Sequence, residues 1–377
     1  MSACGSWPRA RTILCGLVLA AGWGWAVAQA QAPACRVAFD MGSSGVRAAA
    51  TGPGTTAAMP RRDLDLLQPL WQGQSLEEPL PQVIALLQEL PRQARWPADC
   101  ARLGAGFSAW RLAWQLDGQL DGPRLVGQLR RLHAQAQVPV LVMPAQIEGR
   151  YAYETAQRVL GPRLSTSHVL DIGGGSLQLA GAASSFSAEL GQKAWHRRLC
   201  LALRSTPSCV LQALDAAELQ RARTLLDELL ADLPAQLGAG VRLTALSRPV
   251  TRGVAPALAR LRGAAPSQAV SSLSLGDLRW AIGQLAPLPL QEVAARVGAA
   301  PTFAAYLLSD LLLTEGLLRA TGGPALQLAE LDLNILPALL ADERAFAWGS
   351  RYPCYLERLA SEGPAAYFSD PSTCRAP

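Results

Sequence analysis

Apolar positions along the first half of the chain alternate between short runs typical of buried strands and longer segments with helical spacing. Residues 102–107 and 138–143 form short apolar runs that predict strands. The helical spacing predicts three helices, over residues 79–90, 122–135 and 144–160. Strands that alternate with helices predict an α/β fold.

The second half continues in the same manner. The pattern predicts a long helix over residues 216–237, a strand over 241–246 and a helix over 274–285. Residues 301–321 are strongly apolar, but Asp310, Glu315 and Arg319 interrupt the run, which favours a buried helix over a membrane span. Residues 263–272 predict a flexible loop, and the chain after residue 350 carries few packing signals beyond its cysteines.

One pattern occurs twice. A strand-like run ends in Asp40, continues into the turn Gly42-Ser43-Ser44-Gly45 and is followed by a second apolar run. A matching run ends in Asp171 and is followed by Gly173-Gly174-Gly175-Ser176 and another run. Each copy predicts a strand-turn-strand hairpin, and the repetition predicts a duplicated domain with a cleft between the copies.

The two turns have the composition of phosphate-binding loops. Glycines let backbone N–H groups converge without a Cβ in the way, and serines add hydroxyl donors. Neither turn fits the P-loop pattern, and neither opens a helix as a dinucleotide-binding loop does. Each turn can therefore hold a phosphate oxygen while its Asp faces a cation.

The order of the motifs resembles the actin, sugar-kinase and heat-shock-chaperone ATPase superfamily, and within it the exopolyphosphatase and guanosine pentaphosphate phosphatase family. Two more segments carry the resemblance: Gly104-Ala105-Gly106-Phe107-Ser108-Ala109-Trp110-Arg111, similar to a Ser-Ala-Leu-Arg type motif, and residues 144–153, which contain Glu148-Gly149-Arg150. The resemblance extends over residues 35–181 and is thin beyond them.

The resemblance implies two actin-like (ribonuclease H-like) domains with an interdomain cleft. We expect a signal peptide over residues 1–32, a first domain over 33–144, a second over 145–345 and a disulfide-linked C-terminal tail over 346–377. The activity it implies is Mg²⁺-dependent hydrolysis of phosphoanhydride bonds, with orthophosphate released from the ends of polyphosphate. This chemistry needs a held phosphoryl group, neutralised charge and an activated water.

The site residues follow by matching motifs. Glu148 matches the general base of the family, and Arg111 is expected to offset phosphate charge. Asp40 and Asp171 are expected to hold Mg²⁺ directly or through its waters. The phosphate cradle is expected to comprise Gly42, Ser43, Ser44, Gly45, Gly173, Gly174, Gly175 and Ser176.

Each assignment also has a structural alternative. A Glu in the first turn of a helix is favoured by the helix dipole alone, and Asp residues often cap turns by accepting backbone hydrogen bonds. Arg111 lies among apolar residues, where an arginine is commonly a surface group with a buried stem. The basic segment from Arg248 to Gly253 is typical of a solvated connection, and we do not assign it to the site.

The sequence departs from the family at its presumed metal. The family carries Gly-Ser-Thr-Glu after the second loop, where this chain has Gly175-Ser176-Leu177-Gln178. The first turn also lacks the usual Gly-Ser-Asn-Ser. Replacement of a carboxylate by the Gln178 amide predicts weaker metal binding.

The N-terminus predicts export. Arg9 and Arg11 precede an apolar run over residues 13–27, and small residues of cleavage type follow up to Ala32. The run is shorter than a span requires, so we expect a cleaved signal peptide, no stable membrane anchor and a periplasmic or secreted chain.

Six cysteines remain after cleavage, an even number suited to an oxidising compartment and open to 15 pairings. They lack metal-ligand spacing. In the fold that the resemblance implies, Cys35 and Cys100 begin adjacent parallel strands and are expected to form a disulfide. Cys200–Cys209 and Cys354–Cys374 are then the local pairs.

Composition supports a globular protein. Of 377 residues, 50% are hydrophobic and only 17% are charged, which suffices for packed cores. The net charge of +5 is not concentrated in any dense basic run, so nucleic-acid binding is not expected, while a polyanionic substrate is favoured.

Two functions from different classes fit these observations. The leading hypothesis is an exported exopolyphosphatase-like hydrolase. The alternative is a slow or non-catalytic phosphate- or polyphosphate-binding protein, which Gln178 favours and Glu148 opposes. A kinase ranks third because ATP is scarce outside the cytoplasm, and a homodimer is left open.

Overall fold

In a computed structural model, the structure describes residues 35–118, 124–238, 240–264, 270–329 and 335–375. The predicted signal peptide lies outside these residues. The first sheet contains strands β1 (Arg36–Gly42), β2 (Gly45–Thr51), β3 (Arg61–Asp63), β4 (Ala101–Gly106) and β5 (Val140–Val142). The second contains β6 (His168–Ile172), β7 (Leu177–Gly181), β8 (Ser185–Ala188), β9 (Leu243–Ala245), β10 (Ser272–Ser274) and β11 (Ala325–Leu328).

Helices cover both sheets. Those before β9 are α1 (Leu67–Trp71), α2 (Leu80–Gln93), α3 (Ser108–Gly118), α4 (Arg124–Ala136), α5 (Ala145–Leu160), α6 (Gln192–Arg204), α7 (Ala216–Leu229) and α8 (Leu233–Leu237). Those after it are α9 (Ala255–Leu261), α10 (Leu275–Leu285), α11 (Leu290–Val297), α12 (Pro301–Thr321), α13 (Leu336–Leu340), α14 (Glu343–Ser350) and α15 (Tyr352–Glu362).

The two sheets share one topology. The first has the order β3-β2-β1-β4-β5, in which an antiparallel meander is followed by two parallel strands. In the second sheet β8-β7-β6 form the same meander, β9 and β11 continue it in parallel, and β10 is added at the edge. Both predicted hairpins are thus present, and the repeated topology matches the predicted duplication.

Several predicted elements differ from those in the structure, either in their bounds or because one predicted element is divided into two. The helix predicted over residues 216–237 is divided, with α7 ending at Leu229 and α8 beginning at Leu233. Pro234 has no N–H for a continuous helix, and its ring crowds the carbonyl four residues earlier. The basic segment predicted as a loop forms a π-helix, Pro249–Val254, that leads directly into α9.

Helix α12 forms the centre of the hydrophobic core around the second sheet. Its residues from Leu307 to Leu318 are almost all buried. Its interrupting charges have partners: Asp310 accepts a hydrogen bond from Gln192 at 2.6 Å, and Glu315 pairs with three arginines, Arg223, Arg279 and Arg319. No single helix of the described residues is long and apolar enough to cross a membrane, although α11 and α12, bent by 92°, reach that length and composition as a pair.

The C-terminal segment packs on the first sheet. Trp348 of α14 and Tyr352 and Tyr355 of α15 are fully buried there. Tyr352 donates its hydroxyl to the carbonyl of Val140 at 3.0 Å, and the Tyr355 hydroxyl accepts from the amide of Val142 at 2.8 Å. Since β5 is an edge strand, these hydroxyls satisfy backbone groups that a neighbouring strand would otherwise pair. The prediction of few packing signals after residue 350 was therefore wrong.

The structure joins Cys35 to Cys100, Cys200 to Cys209 and Cys354 to Cys374, the same pairs that the implied fold suggested. The first bond ties the start of β1 to the residue before β4, its parallel neighbour. His196 lies near Cys200 and Cys209, but both sulfurs are used in the disulfide, so this group is not a metal site.

Candidate active site

The two glycine turns meet across one cavity. A Cβ placed on Gly174 would lie 2.5 Å from Oγ of Ser43 and 3.1 Å from Oγ of Ser44, so the second turn touches the first. The cavity between the sheets has a volume of about 670 Å³. Both turns contribute to its wall, through Gly42, Ser43, Ser44, Gly45, Gly173 and Gly174.

The last two residues of the predicted cradle face elsewhere. A Cβ on Gly175 would lie 2.8 Å from Oγ of Ser108, so this glycine packs against the start of α3. The Ser176 hydroxyl is buried and accepts hydrogen bonds from Arg111 Nη2 at 3.0 Å and Gln178 Nε2 at 2.9 Å. Six of the eight predicted phosphate-binding residues thus line the cavity.

Helix α6 supports the second turn from behind. The amides of Gln192 and Lys193 each donate at 2.9 Å, to the carbonyls of Gly173 and Gly174. A Cβ on Gly191 would lie 2.6 Å from three backbone atoms of the turn, so only glycine allows this approach. The sequence analysis did not identify Gly191, because the only local signal for its role is a glycine directly before a helix.

Asp40 and Asp171 lie near the C-terminal ends of the equivalent strands β1 and β6 and line the same cavity. Burial raises the pKa of Asp40 to about 6, with Arg47 opposing the shift. Burial likewise raises the pKa of Asp171 to about 7, and the nearby Glu148 adds to the effect. Among the described residues no backbone amide donates to either carboxylate, which argues against turn capping.

These carboxylates suit a hard cation. Burial disfavours the charged form of both carboxyl groups, and backbone donors able to hold phosphate lie beside them. Mg²⁺ in phosphoryl-transfer sites is held by one or two carboxylates together with phosphate oxygens, and this arrangement matches that ligand set. A bound cation would restore both groups to their charged form. The residues present therefore fit the metal that the family resemblance implies.

Glu148 lies in the first turn of α5, which begins after Pro144, and it lines the cavity. Its Oε2 accepts from Arg111 Nη2 at 2.9 Å and from Gln178 Nε2 at 3.1 Å. Burial raises the pKa of Glu148 although Arg111 opposes the shift. A carboxylate with raised proton affinity at the wall of a cavity that is wide enough for a phosphate chain can take a proton from water.

Arg111 differs from its expected position. It is buried behind Glu148 and does not line the cavity. Its Nη1 donates to the carbonyl of Met143 at 3.1 Å, and its Nε lies 3.7 Å from the Glu189 carboxylate. Both Nη atoms are thus bonded to protein groups, and Arg111 neutralises Glu148 instead of facing a phosphate.

Other cations supply charge to the cavity wall. They are Arg47, Arg61, Arg62, Lys193 and Arg248. Arg47 lies opposite Asp40 in the hairpin register, an arrangement that follows from a two-residue turn at Ser43-Ser44. Arg248 corrects the sequence interpretation, since the segment excluded from the site, Arg248 to Gly253, reaches the cavity through Arg248 and Pro249.

The fold is that of the Ppx/GppA phosphatases. The Aquifex aeolicus PPX-GPPA enzyme superposes with a TM-score of 0.59 at 17% identity, covering 82% of this chain and 99% of that one. An exopolyphosphatase from Cytophaga hutchinsonii gives 0.59 at 16% identity, covering 81% and 98%. An exopolyphosphatase-like protein gives 0.60 at 16%, covering 84% and 99%. No family model and no curated protein sequence matches the chain.

Proposed function

We propose that this protein is an exported, Mg²⁺-dependent phosphoanhydride hydrolase that releases orthophosphate from the ends of polyphosphate. The observation that carries the proposal is the convergence of two glycine turns, two carboxylates and Glu148 on one cavity. The fold shared with Ppx/GppA phosphatases supports the reaction class. Three disulfides and the N-terminal sequence pattern support export.

The residues divide the work as follows. Backbone donors of the turns bind the terminal phosphoryl group, and the cavity-wall arginines offset the charge of the remaining chain. Mg²⁺ held by Asp40 and Asp171 would neutralise phosphate charge. Glu148 orients a water and accepts its proton, while Arg111 and Gln178 hold the carboxylate.

The test measures phosphate release from polyphosphate with Mg²⁺ by the mature protein and by a Glu148→Gln variant. We expect release by the wild type and a loss of about 10²-fold or more in kcat for the variant. Glu154→Gln is a matched control, because Glu154 lies on the same helix and makes a surface ion pair with Arg150. Equal rates for wild type and Glu148→Gln would refute the proposal.

A second candidate is a polyphosphate-binding protein with little or no turnover. Gln178 favours it, since an amide stands where the family has a carboxylate near the metal. The same assay separates the two functions: tight polyphosphate binding with negligible phosphate release by both proteins supports the binding protein.

A further inference from the structure

Gln178 lies opposite Asp171 in the register of β6 and β7 and is almost completely buried. Its Nε2 donates one hydrogen to Glu148 Oε2 at 3.1 Å and the other to Ser176 Oγ at 2.9 Å. Its own Oε1 is buried without a hydrogen-bond partner in the described part of the chain. The side chain therefore acts as a double donor, and one of its two bonds goes to the proposed base.

The packing of α5 against β7 keeps the Gln178 side chain close to Glu148. Helix α5 approaches β7 closely at Gly149, where a Cβ would lie 3.2 Å from Cβ of Ala180 and 3.4 Å from Cβ of Gln178. This contact holds Glu148, one residue earlier, directly over the Gln178 amide. The distance between the side chains of Glu148 and Gln178 is consequently set by the packing of the two backbones.

A carboxylate at position 178 is incompatible with this contact. An ionised Glu has no hydrogen to donate, so its oxygen would face Oε2 of Glu148 at about 3 Å in a buried environment, where like charges repel strongly. Arg111 already gives Nη2 to the same Oε2 and to Ser176. One guanidinium would then have to compensate three carboxylates, those of positions 148, 178 and 189.

We propose that Gln178 is a positioning residue that fixes the carboxylate of Glu148 through Oε2, together with Arg111. The exchange of the family's Glu for Gln thus changes how the base is held and does not merely delete a metal ligand. With Oε2 held from two directions, the carboxylate cannot rotate, and Oε1 accepts no hydrogen bond from the described residues and is free for water. The inference rests on the proposed role of Glu148.

The test compares four variants with the wild type: Gln178→Glu, Gln178→Met, the swapped pair Glu148→Gln with Gln178→Glu, and Gln157→Glu. Gln157 lies exposed on the same helix as Glu148 and serves as the control for the substitution itself. The readouts are the midpoint of thermal unfolding without metal, then kcat, KM and the Mg²⁺ concentration for half-maximal phosphate release.

We expect Gln178→Glu to lower the unfolding midpoint by about 5 °C or more. The swapped pair should recover most of this loss, because the amide then at position 148 can donate to the carboxylate then at position 178. Gln178→Met should keep KM within about twofold and lower kcat by about tenfold or more, since the base loses orientation and not substrate contact. The swapped pair should remain inactive, and Gln157→Glu should behave as wild type.

The opposite pattern overturns the inference. If Gln178→Glu raises kcat or lowers the Mg²⁺ requirement, position 178 faces the metal and Gln178 is a degraded ligand. A swapped pair no more stable than Gln178→Glu would show that the two side chains are not paired. A wild type that releases no phosphate while the swap recovers the midpoint would refute the proposed function and the positioning role but leave the pairing intact.

Discussion

Nζ of Lys193 lies 2.8 Å from Oδ2 of Asp65, and the pair connects α6 of the second half with the segment after β3 of the first half. Both residues line the cavity, and Lys193 is the single lysine of the chain. Since both side chains are partly exposed, at 27% and 47%, the pair contributes at most about 1 kcal/mol to stability. Its main effect is on the charge that an anion meets.

Asp65→Asn should therefore strengthen binding of tripolyphosphate by about two- to fivefold at low salt, and the gain should shrink as salt screens the charge. Asparagine keeps the Oδ1 acceptor that caps α1 through the amides of Leu67 and Gln68. Titration calorimetry at two salt concentrations measures the effect. Asp227→Asn removes a similar exposed partner, that of Arg319, away from the cavity, and should change nothing. Weaker binding by Asp65→Asn would contradict this account.

Gly191→Ala should unfold or displace the second turn. The added methyl would meet three backbone atoms at 2.6 Å, and backbone cannot move aside as a side chain can. We expect a loss of about 2 kcal/mol or more in the free energy of unfolding, typical of overpacking. Gly127→Ala is the control, because this exposed helical glycine has nothing within 4 Å of a Cβ and alanine should stabilise α4 slightly. Chemical denaturation of both variants measures the free energy of unfolding, and equal values for Gly191→Ala and Gly127→Ala would refute the prediction.

Local patterns predicted the parts of the site that depend on neighbouring residues in the chain. The hairpins around Asp40 and Asp171, and α5 with Glu148 in its first turn, follow from runs, turns and a helix start within a few residues. Residues that reach the cavity from distant elements were missed. Lys193 and Arg248 arrive from α6 and from the turn after β9, and no local spacing reveals that approach.

Pairing between distant side chains was equally hidden. Arg111 was expected to face phosphate, but Glu148 lies 2.9 Å from its Nη2, and this contact depends on how α3 and α5 pack. The C-terminal aromatics show a different cause of error. Trp348, Tyr352 and Tyr355 have helical spacing that sequence analysis could have used, and they are buried on the first sheet.

The disulfides should differ in their contributions to stability. Cys35–Cys100 closes a loop of 65 residues, whereas Cys200–Cys209 closes one of 9. Chain entropy alone gives about 4 kcal/mol for the longer loop and about 2.5 kcal/mol for the shorter. Replacing each pair by alanine and measuring unfolding in urea should therefore destabilise the first variant by about 1–2 kcal/mol more. A larger loss for the short loop would show that packing around Cys200, which is fully buried, outweighs entropy.

Stabilisation by Mg²⁺ should depend on pH. The pKa values of Asp40 and Asp171 are raised in the folded protein, to about 6 and about 7, above their values in an unfolded chain. The stability that these neutral carboxyls contribute is complete below about pH 4 and is lost as pH rises through 6 and 7. Mg²⁺ at the proposed site would bind the deprotonated carboxylates, so metal and proton would compete for the same oxygens.

The unfolding midpoint of the metal-free protein should accordingly fall relative to the Mg²⁺-loaded protein as pH rises from about 5 to about 7.5, with a difference of about 2 °C or more at the upper end. Scanning calorimetry with and without Mg²⁺ measures this directly and needs no substrate. Asp40→Asn with Asp171→Asn should abolish the difference at every pH, whereas Asp99→Asn, an exposed substitution outside the cavity wall, should preserve it. A Mg²⁺ effect that is equal at both ends of this pH range, or that survives in the double variant, would place the cation elsewhere.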